Sequence, residues 1–429
     1  MEHVIKRDRY LERMIDKKGN GLIKVITGIR RCGKSYLLFN LFCDYLLASG
    51  VRKEQIITIA LDDDTNVQYR DPDALSKYVR SRIVNKEMYY ILIDEVQYAI
   101  SKEELKDPES IRLYNVLNGL LHLRNVDIYV TGSNSKMLTK DVLTAFRGRG
   151  DEIRVHPLSF KEYYAFAGGD KSDAYEEYAL YGGMPLVLSK KSDAEKMRYL
   201  QGLFTEVYFK DIVERYEIEL PDVLEELTDD LCSSIGSLTN ASRIANTLQS
   251  VKGIKVSSTT ISNYLNYLME SFLFDNAKRY DVKGKKYFEY PSKYYCTDVG
   301  LRNARLNFRQ QEETHIMENI IYNELLCREY SVDVGVVELV EQHEGKRAKK
   351  QCEIDFVVNA GARKYYIQSA LNVSEPAKME AELRPLKKTR DFFKKIIISK
   401  TSMKPWTDEE GILHLGLYEF LLNENALEL

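Results

Sequence analysis

Residues 28–36 read GIRRCGKSY, after the apolar run LIKVIT (22–27) and before LLFNLF (37–42). A glycine, four variable residues and Gly33-Lys34-Ser35 make a loop whose backbone N–H groups can wrap phosphates. The helix N-terminus that follows favours negative charge. Gly28, Ile29, Arg30, Arg31, Cys32, Gly33, Lys34 and Ser35 are therefore expected to cradle a nucleotide. Lys34 would reach the β- and γ-phosphates, and Ser35 would ligate Mg2+. A chance glycine-rich turn would need neither the strand before nor the helix after.

The rest of the first half alternates short apolar runs with amphipathic stretches, the pattern of an α/β fold with a parallel sheet flanked by helices. Strands are expected at 23–27, 56–61, 89–93, 127–131 and 153–155. Ligands of such sheets bind at the carboxyl ends of the strands. YYILIDEVQ (89–97) places Asp94 and Glu95 at one such end. Asp94 can hold the water shell of Mg2+, and Glu95 can polarise an attacking water. The plainer alternative is a helix N-cap. VDIYVTGSNSKML (126–138) ends another strand on Ser133 and Asn134. Asn134 is expected to contact the γ-phosphate or the water, with an N-cap role as the alternative. AFRGRGDEIRV (145–155) carries Arg147 and Arg149. A guanidinium reaching a γ-phosphate accelerates transfer by about 10³–10⁵. The alternative is a solvated turn pairing with Asp151 or Glu152.

These residues, with PLSFKEYY (157–164) and YGGMP (181–185), resemble the AAA-type-14 ATPases of bacteria and archaea, which carry a C-terminal region named domain of unknown function family 4143. The resemblance spans nearly the whole chain. Gly28–Ser35 matches that family's phosphate loop residue by residue. Ile93-Asp94-Glu95-Val96-Gln97 matches its acidic strand end, Thr131–Asn134 its Thr-Gly-Ser-Asn turn, and Gly148-Arg149 its glycine-arginine turn. The resemblance implies ATP rather than GTP as nucleotide and favours Arg149 over Arg147. It supplies no physiological role.

With 429 residues, two to four domains are expected at about 100–200 residues each. The expected division is a P-loop ATPase core (1–157), a helical lid (158–230), a winged-helix-like region (231–305) and a nuclease-like domain (306–429). A composition of 44% hydrophobic and 30% charged residues, with no long apolar window and a charged N-terminus, points to a cytoplasmic protein without a membrane partner. Six scattered cysteines form no CxxC pair, so reduced thiols are expected. At a net charge of −3, nucleic-acid binding would need a local basic patch.

Such a patch is present. LTNASRIANTLQSV (238–251) and VSSTTISNYLNYLMESFLF (256–274) read as two helices, the second opening on small polar residues. KRYDVKGKKYFEYPSKYY (278–295) reads as a hairpin turning at Gly284. Within 278–293, six Lys/Arg (278, 279, 283, 285, 286, 293) oppose two acids (281, 289), giving +4. In one reading Ser257–Asn263 enters a DNA groove and the hairpin grips phosphate, so DNA would be bound through 256–293. In the other the module contacts protein, and the lysines blunt a strand edge.

Further on, Glu318 on a helix, Asp355 in one strand and Gln368 in the next resemble the order of acids in PD-(D/E)xK-type nucleases, whose lysine activates water. The lysine position is Ala370, so cutting is not expected. The leading function is a Mg2+-dependent ATPase acting on its C-terminal modules, with Glu95, Asn134 and Arg149 in catalysis. A homo-oligomer or a partner protein would complete it. The alternatives are a nucleotide-gated DNA-binding scaffold that hydrolyses little, and a metal-dependent nuclease.

Overall fold

The structure is a computed structural model describing residues 4–101, 103–104, 110–133, 148–287, 291–343, 346–372, 375–389 and 391–429, with side chains undescribed at 339–350. The chain forms two compact units, Met1–Pro157 with Glu270–Phe272, and Leu158–Met269 with Leu273–Leu429. Among the described residues no helix is long and apolar enough to cross a membrane.

The first unit is built on a five-stranded sheet, ordered β2-β3-β4-β1-β5. Its strands are β1 (Ile23–Thr27), β2 (Ile56–Ala60), β3 (Tyr89–Asp94), β4 (Val126–Thr131) and β5 (Gly150–Arg154). All four pairings are parallel. β1, β3 and β4 are buried at every residue, as in a sheet covered on both faces, and the charges within β1 and β4, Lys24 and Asp127, are buried as an ion pair. Ile23, Val25, Ile91, Ile93, Ile128 and Val130 pack with Leu75 and Val79 of helix Pro72–Arg82 and with Leu113 and Leu117 of helix Arg112–Leu121. The strand expected at 56–61 stops at Ala60, and the last strand begins at Gly150 rather than at 153. β4 lies between β1 and β3, so the phosphate loop and the Asp94-Glu95 end flank the end of a third strand.

The second unit opens with helices Phe160–Ala167, Lys171–Tyr181 and Asp193–Gly202. Ser159 with Glu162 and Ser192 with Glu195 form capping boxes at two of these starts. After helix Pro221–Ser233 come β6 (Leu238–Thr239), helix Ala241–Lys252, helix Ser258–Glu270 and β7 (Phe274–Ala277). The hairpin expected over 278–295 divides in two. β8 (Arg279–Asp281) turns back through Gly284 into β9 (Lys286–Tyr287), while β10 (Ser292–Cys296) pairs instead with β7 and β6.

Helix Glu313–Cys327 leads to β11 (Ser331–His343), β12 (Lys346–Ala360), β13 (Arg363–Ala370), β14 (Lys394–Ser399), β15 (Trp406–Thr407) and β16 (Ile412–Gly416). With β8 and β9 these form one eight-stranded sheet, ordered β15-β16-β14-β13-β12-β11-β8-β9. β8 runs parallel to β11, so the basic hairpin is the margin of this sheet and not a free arm.

YGGMP has a packing explanation. A Cβ on Gly183 would lie 2.1 Å from the Leu158 carbonyl oxygen, and one on Gly182 would lie 2.2 Å from Asp298 Oδ1. Asp298 Oδ2 accepts the Gly183 N–H at 2.6 Å. Gly183→Ala is expected to lower stability by about 2 kcal/mol or more, because the obstacle is backbone. Gly202→Ala meets open space within a helix and should be neutral or stabilising. Urea midpoints of the two variants check this contrast.

Candidate functional site

The phosphate loop leaves the carboxyl end of β1. Gly28 has φ +139°, and a Cβ there would lie 2.1 Å from the Val155 carbonyl oxygen. Only glycine lets the loop pass that close to the end of β5. Gly33 at φ +101° caps the helix that starts at Lys34. Lys34 is buried and donates to the Gly28 and Ile29 carbonyl oxygens at 3.0 and 3.2 Å, curled over its own loop. Arg7, also buried, ties the loop from the N-terminal segment, donating to the Cys32 carbonyl at 3.0 Å and the His156 carbonyl at 2.6 Å. Burial, with Arg154, Arg13, Arg7 and Arg9 nearby, holds His156 well below the usual histidine range, so its ring is neutral.

Asp94 and Glu95 stand two strands away and are joined by Thr131, the last residue of β4. The Thr131 hydroxyl donates to Asp94 Oδ1 and accepts the Glu95 N–H at 3.0 Å. Burial raises the Asp94 pKa, opposed by hydrogen bonds from Ser35 and Thr131. Ser35 hydroxyl and Asp94 carboxylate thus meet at the carboxyl edge of the sheet. These hard oxygen donors suit Mg2+ held partly through water and phosphate. Among the described residues no group of three or more His, Cys, Asp or Glu could hold a metal by itself. Glu95 is 8% exposed at φ +54°, and Gln97 Nε2 donates to its Oε2.

The other expected site residues lie apart from this cluster. Asn134, like Arg147, lies outside the described residues. Arg149 is exposed, and its carbonyl accepts the Ile23 N–H at 2.8 Å, which places it at the amino edge of the sheet. The loop leaves the opposite edge, five strand residues and roughly 16 Å away. The strand direction thus sets Arg149 at the edge of the sheet opposite the phosphate loop of its own chain. Thr131 and Gln97 were given no individual role by the sequence. Their signal was position, at a strand end and two residues past an acid.

In the second unit Glu318, Asp355 and Gln368 come together as their order suggested. Ala370 packs in the apolar core with Leu383 and Ile397. The amine comes from elsewhere. Lys293 Nζ, on β10, lies 2.8 Å from Glu318 Oε1, 2.6 Å from Glu353 Oε1 and 3.7 Å from Asp355 Oδ1. Its side chain is only 4% exposed, so its place in a surface basic patch is corrected. The Ser369 N–H donates to Asp355 Oδ2 at 2.8 Å, and Gln368 Nε2 donates to Glu382 Oε2 at 2.9 Å. Burial lowers the Lys293 pKa, but Glu318, Asp355 and Glu353 more than reverse this and leave it raised. Burial and then Glu318 push Asp355 well above the usual carboxylate range, opposed by Lys293.

Lys293→Met should cost about 3–5 kcal/mol by leaving buried carboxylates without their cation. A raised carboxyl pKa means the folded state holds its proton longer, so that contribution to stability is lost as pH rises through the folded pKa. The deficit of Lys293→Met should therefore shrink as pH falls. Chemical denaturation at several pH values measures it.

A phosphate loop facing a strand-end Asp-Glu pair across a parallel sheet defines a P-loop nucleotide-binding protein, and residues 20–164 match the AAA domain family. Residues 172–312 match a domain of unknown function, DUF8612, in place of the family-4143 region given by the sequence resemblance. The chain is 32% identical over 425 residues to an uncharacterised protein of Haemophilus influenzae, covering 98% of this chain and 99% of that one. It belongs to the family of that protein. An uncharacterised protein of Methanocaldococcus jannaschii is 28% identical over 401 residues, covering 90% of this chain and 81% of that one. Solved structures similar to it include the Pyrobaculum aerophilum Cdc6p (10% identity, 75% of this chain and 96% of that one, TM-score 0.29). Another is the Aeropyrum pernix ORC1 protein in complex with DNA (14% identity, 71% and 93%, TM-score 0.27). At these TM-scores nothing is carried over from either.

Proposed function

We propose that the protein is a Mg2+-dependent ATPase whose nucleotide state acts on the modules of its second unit. The observation that carries this reading is the Thr131 hydroxyl holding both Asp94 and Glu95 beside the phosphate loop. Lys34 and the loop amides would bind the phosphates, and Ser35 and Asp94 would hold Mg2+, which would supply positive charge against the phosphate oxygens. Glu95 orients and deprotonates the attacking water. Asn134 is kept as the γ-phosphate sensor by its place three residues past Thr131. Arg149, at the far edge of the sheet, serves the nucleotide of a neighbouring copy.

Glu95→Gln should keep ATP binding and lose steady-state phosphate release. Normal turnover in that variant would sink the assignment. Turnover of the wild type should also rise with protein concentration in proportion to assembly, and Arg149→Ala should remove that rise.

In the second unit, the order helix, β6, helix, helix, β7, β10 supports a winged-helix reading. Ser257, Ser258, Thr259 and Asn263 are exposed at the front of its last helix, and Lys278, Lys283, Lys285 and Lys286 are exposed along the β8–β9 segment. These features favour a duplex DNA partner held through phosphates. Reversing three charges with Lys283→Glu, Lys285→Glu and Lys286→Glu should weaken duplex binding and flatten its salt dependence, as measured by fluorescence anisotropy. Unchanged affinity would favour a protein partner. The nuclease-like core is read as non-cutting, because the Lys293 amine is enclosed by carboxylates and screened from a phosphodiester.

A further inference from the structure

We infer that Gln97 is a positioning residue for hydrolysis, fixing the Glu95 carboxylate and offering the attacking water a second acceptor. This rests on the ATPase reading above. In a continued strand, residues 95 and 97 would share a face but stand about 7 Å apart. Here Glu95 adopts φ +54° and ψ 52°, and the 3-10 helix Val96–Ala99 starts at once. The turn is anchored on both sides, by the Glu95 N–H on Thr131 Oγ1 at 3.0 Å and by the Tyr98 N–H on the Glu95 carbonyl at 3.1 Å. A left-handed non-glycine residue persists only where its surroundings over-determine it. Its effect is to fold Gln97 back over Glu95.

Gln97 Nε2 then donates to Glu95 Oε2 and lies 3.4 Å from Ser133 Oγ. Charge sets which way the amide points, since its oxygen would repel the carboxylate. The general base is thereby tied to the end of β4, beside the residues expected to sense the γ-phosphate. One Glu95 oxygen is occupied, and among the described residues no hydrogen bond to Oε1 is seen. Gln97 Oε1 is buried and has no hydrogen-bond partner among the described residues. An unpaired buried acceptor beside a base is a place for a water O–H.

In the step, the water oxygen bonds to the γ-phosphorus. The bond to the β–γ bridging oxygen breaks, its electron pair leaving with ADP. The water proton goes to Glu95, and Gln97 accepts a hydrogen bond and no proton. The arrangement repeats the general logic of a base oriented by a third group.

The test uses the full chain with ATP and Mg2+, comparing wild type, Gln97→Leu and Glu95→Gln in multiple-turnover phosphate release and in equilibrium ATP binding. Leucine keeps the approximate volume and removes both polar atoms. Gln97→Leu is expected to lower kcat by about 10- to 100-fold, with KM and the ATP Kd within about twofold of wild type. A merely structural role would disturb binding and melting temperature together with kcat. Wild-type turnover in Gln97→Leu, with Glu95→Gln inactive, would overturn this inference alone. Faster turnover would also overturn it, by making the hydrogen bond a restraint on Glu95. Retained turnover in Glu95→Gln, or none in the wild type, would instead remove the ATPase reading and this inference with it.

Discussion

One hydroxyl organises the nucleotide site. Thr131 ends β4, and the strand order puts β4 between the strand that feeds the phosphate loop and the strand that ends in Asp94. Its Oγ1 gives a hydrogen bond to the Asp94 carboxylate and takes one from the Glu95 amide. A serine could make the same bonds but would lack the methyl group that limits χ1. The kinked conformation of Glu95 is anchored at this junction, and the Ser35 hydroxyl meets Asp94 beside it. The sheet is therefore more than a scaffold, because its order selects which three strand ends meet.

The second unit solves a different problem with the opposite means. Acids on helix Glu313–Cys327 and β12 converge in a buried place, and the charge that balances them comes from β10, a strand of another sheet. A buried amine with several carboxylate partners contributes little net stability compared with an apolar filling, but is costly to break. Its effect is specificity. β10 cannot shift register by one residue without turning Lys293 to the other face. Lys293 thereby ties the three-stranded sheet to acids of the eight-stranded one.

Much of the first unit was legible in the sequence because each motif was local. Gly28 to Ser35 declared itself by spacing, and Asp94-Glu95 by four apolar residues ahead of two acids. Arg149 was legible as a residue but not as a location, since the end of a sheet to which a turn belongs depends on strand direction. Thr131 was hidden inside a matched motif, because a threonine at a strand end looks like β-propensity. Lys293 was misread for a physical reason. A lysine beside other lysines looks solvated, and only long-range packing turns that one inward to acids 25 and 60 or more residues away. The single hairpin over 278–295 failed similarly, because β8 found a partner in β11, more than 50 residues further along the chain. Ala370 declared only that no lysine stands at its own position, whereas the Lys293 amine beside these carboxylates comes from a different strand.

Under the proposed role of Arg149, its separation from the phosphate loop to opposite edges of one sheet would make each copy polar, with a donor edge and an acceptor edge. Surfaces of that kind pair head to tail, unlike the self-matching patch of a two-fold dimer. Head-to-tail pairing has no natural stopping point unless the rotation between copies closes a ring. In a closed ring every nucleotide would then have an arginine beside it. In an open row the copy at one end would keep a nucleotide that no neighbour serves, so the fraction of active sites would depend on how many copies stand in line.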